Sequence, residues 1–207
     1  PMTTYLVCIT ARPYVEIAQS ALDGELPILN FVTQAQYNNA LSDLANLPSM
    51  IDYYSSLFGE YPFEKYGNAT VNMSTFGAME HQTQTTLGNF IINGNGTYEL
   101  TIAHELAHQW YGNAVSFLDF PHVWLSEGFA TYSEHLWVDY VDGWQAACNY
   151  VNTSFHQYYM NWESSYNPPA IYNPGFGDYF SPPSYEKAAS VLHMLRLKMG
   201  DDDFFQL

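Results

Sequence analysis

The stretch His104-Glu105-Leu106-Ala107-His108 has the form HExxH. On an α-helix, residues four apart differ by about 40° around the axis, so both imidazoles leave the same face and can meet one metal ion. Glu105 stands about 100° from its neighbour and reaches a water on that metal without filling a coordination position. A catalytic zinc takes three protein ligands and keeps a fourth position open, so the pattern asks for a carboxylate from a neighbouring element. Glu127 fits, in Trp124-Leu125-Ser126-Glu127-Gly128-Phe129-Ala130, with eighteen residues between it and His108.

Working outward, apolar spacing predicts helices over about 98–111, 126–141, 143–160 and 184–199. Residues 32–58 repeat Leu41, Leu44, Leu47, Ile51, Tyr54 and Leu57 at helical spacing, as one long helix or two with Pro48 as the break. Strands are expected at Tyr5–Ile9, Ala69–Met73, around Ala78 and Met79, and at Asn89–Ile92. The Pro- and Gly-rich stretch 167–183 is the one long irregular segment. A small sheet followed by helices is the α+β class.

Composition narrows the chemistry. The chain has 207 residues, 47% of them hydrophobic and 17% aromatic, which is globular rather than disordered. Five Lys+Arg against 21 Asp+Glu give a net charge of −16, so nucleic acid and anionic membrane are not expected partners, whereas cations are drawn in. No apolar run approaches the ~18 residues that span a bilayer, and the opening Pro1-Met2-Thr3-Thr4 lacks the basic region of a signal peptide. Cys8 and Cys148 are too few for a disulfide framework and are read as buried thiols. Sequons at Asn68, Asn72, Asn95 and Asn152 lean toward a secreted or cell-envelope location, with a cytoplasmic one left open. Both ends read as cut from a longer chain.

His104-Glu105-Leu106-Ala107-His108-Gln109-Trp110-Tyr111-Gly112-Asn113, the Glu127 segment and the upstream block Gly77-Ala78-Met79-Glu80 together resemble the aminopeptidase N family of gluzincin zinc peptidases. The three blocks match in order and spacing, and the likeness runs from about residue 53 to 199. It implies a thermolysin-like catalytic domain: a small, mostly antiparallel sheet followed by a helical lobe, with the zinc site between them. Residues 1–15 would be the tail of a preceding β domain or a linker, and 16–207 the catalytic domain. Further domains of the same polypeptide are expected, and weak activity from this segment alone.

Residue by residue, the resemblance implies that His104, His108 and Glu127 hold one Zn2+ per chain, with Glu105 as general base and proton shuttle. A +2 ion with one carboxylate ligand keeps about one net positive charge to acidify water. Glu80 would hold the free α-ammonium of a peptide, so that one residue is released at a time. Gly77, Ala78 and Met79 would lie on an edge strand that pairs with substrate backbone. Ser184-Tyr185-Glu186-Lys187 resembles the family block whose tyrosine steadies the oxyanion, which assigns that role to Tyr185. The sequence departs from the family at His81, Ser126 and Ala188, where Asn, Asn and Gly are usual. His81, beside the amine site, is expected to become cationic near pH 6.5 and repel the substrate ammonium.

Glu134 returns to nearly the face of Glu127 and is a candidate to hydrogen-bond a ligating histidine, or else a solvated surface carboxylate. His122, His135, His156 and His193 are read as surface or satisfied core residues, since no second spacing pairs them. Two other functions stand beside the aminopeptidase: a thermolysin-type endopeptidase, which has no use for Glu80, and a catalytically silent peptide-binding module.

Overall fold

Tyr14–Ala21 (β1) and Leu26–Thr33 (β2) pair antiparallel along their full length in the computed structural model, which describes residues 3–73 and 76–206. On β2, Leu26, Ile28, Asn30 and Val32 are buried while their alternates are more exposed, the period of a strand with one covered face. The chain then crosses through Tyr37–Asp43 (α1) and Leu47–Phe58 (α2) to Asn68–Val71 (β3), which runs parallel to β2. Ala78–Met79 (β4) and Thr85–Gly88 (β5) complete a five-stranded sheet in the order β1-β2-β3-β5-β4.

The sheet is mixed rather than mostly antiparallel. Its two outer pairings are antiparallel, and its two inner ones, β2 with β3 and β3 with β5, are parallel. A parallel neighbour needs a crossover connection, and α1 and α2 provide it for β3. The break between those helices falls at residues 44–46, ahead of Pro48, which sits in the first turn of α2 where its missing N–H costs nothing. β1 and β2 were not expected from the sequence.

Other expectations change as well. Tyr5–Ile9 is not a strand: Thr4–Leu6 forms a 3-10 turn, only Leu6 of it is buried, and Val7 and Ile9 are exposed. Asn89–Ile92 opens as a 3-10 turn behind β5. Cys8 is exposed and Cys148 half-buried, so neither is a buried thiol. Asn68 is fully buried on β3, where its backbone and side-chain N–H groups donate to Asn30 Oδ1 at 3.1 and 2.9 Å.

The chain divides into two compact units, residues 1–114 and 115–207. In the first, Glu99–Ala107 (α3) is held at both ends. Ahead of it, the Asp43 carboxylate accepts the N–H groups of Asn93 and Gly94 at 2.7 Å and of Gly96 at 3.0 Å. Behind it, Trp110 packs edge-on against Tyr54, Phe58 and Tyr61 and donates its indole N–H to Gly59 O at 3.0 Å.

The second unit is helical. Trp124–Asp142 (α4) packs against Trp144–Tyr150 (α5), against the stretch Pro183–Lys187 and against Ala188–Met199 (α7). The helical run that starts with α5 continues through a wide-turned segment, Val151–Gln157, into Tyr158–Glu163 (α6), and Asp201–Phe204 (α8) follows α7. Pro183–Lys187 is also wide-turned, with Lys187 N–H donating to Pro182 O at 3.1 Å. Where the start of α7 meets α4 there is no room for a side chain: a Cβ on Gly128 would lie 2.5 Å from the Ala188 methyl.

Candidate metal centre

α3 carries His104, and His108 caps its C-terminal end one turn further on, with their Nε2 atoms 3.1 Å from each other. Two zinc–nitrogen bonds of ordinary length at a tetrahedral angle would set those atoms about 3.3 Å apart, so the pair fits a zinc ion. Nδ1 of His108 lies 3.0 Å from Tyr111 O, and because a carbonyl only accepts, Nδ1 carries the proton and Nε2 presents its lone pair. The turn that follows α3 therefore orients the second histidine.

Glu127 lies in the first turn of α4, where the positive end of the helix favours a carboxylate. Among the described residues, His104, His108 and Glu127 form the one group of three able to hold a metal, each giving a ligand atom within 4.8 Å of the others. Two imidazoles and a carboxylate make a donor set suited to zinc with a position left open. Glu105, on the same helix as the histidines, is buried to 8% exposure.

Gly77, Ala78 and Met79 lead into Glu80 along the outermost strand. Gly77 has φ +81°, which a side chain rarely adopts, and its carbonyl accepts Gly88 N–H at 2.7 Å as β4 starts to pair with β5. Glu80 is 7% exposed. Two buried amides hold its backbone: Asn113 Nδ2 donates to Glu80 O at 2.7 Å, and Gln109 Nε2 donates to the same carbonyl at 3.3 Å. Sequence reasoning gave neither amide a role, although both lie in the block that begins with the metal motif.

His81 Nδ1 is 2.9 Å from Thr86 Oγ1, whose hydroxyl lies 3.6 Å from Cys8 Sγ. Burial pushes the His81 imidazole below its usual value of 6.5, partly offset by the Glu80 carboxylate. The expected charging near pH 6.5 therefore moves to lower pH. Tyr185, half-buried, lies on the wide-turned stretch against α4, next to Ser184 and close to the Gly128–Ala188 contact. Glu134 accepts the phenol of Tyr150, and burial followed by that carboxylate raises the Tyr150 pKa well above the usual range.

His135 is fully buried, with Nδ1 donating to Ala147 O at 3.2 Å, and it packs against His193 and Tyr132. His122 lies 2.6 Å from the Asp119 carboxylate near the surface. Neither belongs to the metal group.

Comparison with known proteins gives one coherent result. The profile of the peptidase family M1 domain matches residues 43–207. Glutamyl aminopeptidase of Sus scrofa is 31% identical over 70% of this chain, and aminopeptidase M1-C of Oryza sativa subsp. japonica is 26% identical over 98% of it. Those matches span 16% and 25% of the relatives' own lengths, so the chain corresponds to about a quarter or less of either. A crystal structure of an M1 zinc metallopeptidase from Deinococcus radiodurans superposes with a TM-score of 0.75 at 26% identity, covering 94% of this chain and 42% of that one. A mutant from that organism, solved bound to a Tyr-Ser-Ala substrate, gives a TM-score of 0.76 at 28% identity, over 94% and 43% of the two chains.

Proposed function

This chain belongs to peptidase family M1, and from that premise we propose that it is the zinc-binding part of an aminopeptidase that removes single N-terminal residues from peptides. The observation that carries the reading is the His104, His108 and Glu127 group with buried Glu105 on the same helix as the histidines. One Zn2+ per chain is assigned to those three side chains. When bound, zinc supplies the Lewis acidity that acidifies water and polarises a peptide carbonyl.

The chain's own residues do the rest. The Glu105 carboxylate takes a proton from the attacking water and delivers it to the leaving amine nitrogen as the C–N bond breaks. Tyr185 donates its phenol hydrogen to the oxyanion that forms at the scissile carbon. Glu80 pairs with the substrate α-ammonium and fixes the register, so that only the first peptide bond reaches the metal. β4, outermost in the sheet, offers an edge to which an extended substrate can add as a further strand. Peptide substrates with a free amine fit this arrangement, and the Deinococcus radiodurans mutant was solved with a Tyr-Ser-Ala substrate.

The relatives are much longer, and we assign further domains of the same polypeptide to complete the cleft. No described helix is long and apolar enough to cross a membrane. A secreted or envelope location is kept as a proposal that rests on the exposed sequons, Asn95 and Asn152 among them, since Asn68 is buried.

The test pairs metal content with substrate choice. One zinc per chain, release of a free amino acid from an unblocked peptide, no cleavage of its N-acetylated form, and loss of turnover in Glu105→Gln are expected. Cleavage of the acetylated peptide would replace this reading with an endopeptidase. Zinc without turnover on any free-amine peptide, in the full-length protein too, would replace it with a silent binding module.

A further inference from the structure

The turn that ends α3 does more than orient His108. Its backbone closes through Asn113 N–H to His108 O at 3.0 Å and Ala114 N–H to Gln109 O at 3.1 Å, each bond reaching back five residues. From this turn two side-chain amides, Gln109 at 0% exposure and Asn113 at 5%, reach the segment that follows β4. Asn113 donates to Glu80 O at 2.7 Å, and Gln109 Nε2 sits 3.3 Å from Glu80 O and 3.5 Å from His81 O. Gln109 Oε1 accepts the N–H of Thr83 at 2.9 Å.

Thr83 has φ +65°, an uncommon and strained conformation for a β-branched residue. Such a conformation persists where surrounding bonds over-determine it, and here Gln109 caps its N–H while Gln84 N–H closes the turn onto His81 O at 3.0 Å. Both ends of the Glu80–Thr83 turn are therefore bonded to side chains of the turn that follows His108, a metal-ligand candidate. Buried amides need these partners, and apolar side chains of similar size would leave the Glu80 carbonyl and the Thr83 N–H unpaired.

We propose that Gln109 and Asn113 are positioning residues that hold the Glu80 carboxylate at a fixed distance from His108, and so set the spacing between substrate ammonium and scissile bond. They touch no substrate and act only through the backbone of residues 80–83. The proposal rests on the reading of Glu80 as the ammonium site. A misplacement of about 1 Å in such a constellation costs on the order of 10²-fold.

The test uses the full-length, zinc-loaded protein and reads calorimetric binding of an L-amino acid amide beside its N-acetylated form, together with steady-state kinetics and zinc content. Variants are Gln109→Met, Asn113→Ser, and Glu80→Gln as the reference. For the first two, the free-amine ligand should bind at least about tenfold more weakly and KM for an unblocked peptide should rise. Zinc stoichiometry and affinity for the acetylated ligand should stay as in the parent. Equal weakening of both ligands, loss of zinc, or unaltered preference for the free amine in both variants would overturn the positioning role. If Glu80→Gln itself leaves the free-amine preference intact, the ammonium site is wrongly assigned and the proposal falls with it. A change in Glu80→Gln without one in the amide variants sinks only the proposal.

Discussion

Gly128→Ala tests the packing behind Tyr185. The added methyl would lie 2.5 Å from the Ala188 Cβ, whereas carbon atoms rest at about 3.5–4.0 Å, so α4 and the start of α7, which directly continues the stretch carrying Tyr185, must part by about 1–1.5 Å. Overpacking of this kind costs about 1–3 kcal/mol, and replacing a helical glycine by alanine returns about 1 kcal/mol. The net loss of about 0–2 kcal/mol leaves the protein folded. Displacing Tyr185 by about 1 Å should lower kcat on the order of 10²-fold with zinc content unchanged. Ala188→Gly removes the opposing methyl, so the double variant should recover most of the lost kcat, while Ala188→Gly alone loses about 1 kcal/mol of helix stability. Steady-state kinetics, metal analysis and thermal unfolding on the four proteins read all of this. Unchanged kcat in Gly128→Ala, or a double variant as slow as the single one, would refute the reasoning.

Four further outcomes follow from the same geometry. Tyr185→Phe should lower kcat by about 10²–10³ with little change in KM, and a loss under threefold would remove Tyr185 from the oxyanion role. His81 charges only below its usual pKa, so KM for a free-amine peptide should rise as pH falls through that lowered value; His81→Asn should abolish the rise, and an unmoved acid limb would end the idea. His135 is held to about 4 by burial, then by His193, with Arg196 also opposing its charge. Between about 6.5 and 4 the unfolded chain binds a proton that the folded one refuses, so stability should fall by about 3 kcal/mol over that window, and a thermal midpoint flat from pH 6.5 to 4 would contradict it. Asp43→Ala removes the acceptor of three backbone N–H groups ahead of α3 and should speed amide exchange at Asn93, Gly94 and Gly96 at a cost of about 2–4 kcal/mol; unaltered exchange would show that the loop holds itself.

The parts legible in the sequence were those in which residue type and spacing carry the chemistry. His104, Glu105 and His108 announce themselves because the helix period is fixed, and α4 followed from apolar spacing around Glu127. The β1–β2 pair was hidden because β1 mixes Glu16, Gln19 and Ser20 with apolar residues, and β2 places Asn30 on its buried face, so neither reads as a clean alternation. Tyr5–Ile9 misled for the opposite reason: it is apolar, yet Val7 and Ile9 face solvent at 58% and 92%. Gln109, Asn113 and Asp43 gave no signal, since each acts by bonding to backbone far away in sequence, and a main-chain partner leaves no trace in residue type. An amide or carboxylate at that distance from its carbonyl or N–H becomes visible only once the chain has folded.

The wide turn at Pro183–Lys187 has a consequence for how this chain tolerates change in length. Such a turn is equivalent to one extra residue absorbed in a helix, and downstream residues keep their facing because the surplus is taken up locally. Deleting one residue there would rotate everything after it by about 100°, turning Ala188 away from Gly128 and swinging His193 and Arg196 out of the buried cluster on α4. Insertions and deletions should therefore be confined to the irregular stretch before Pro182, where the number of residues can drift without altering the phase of the helix that follows.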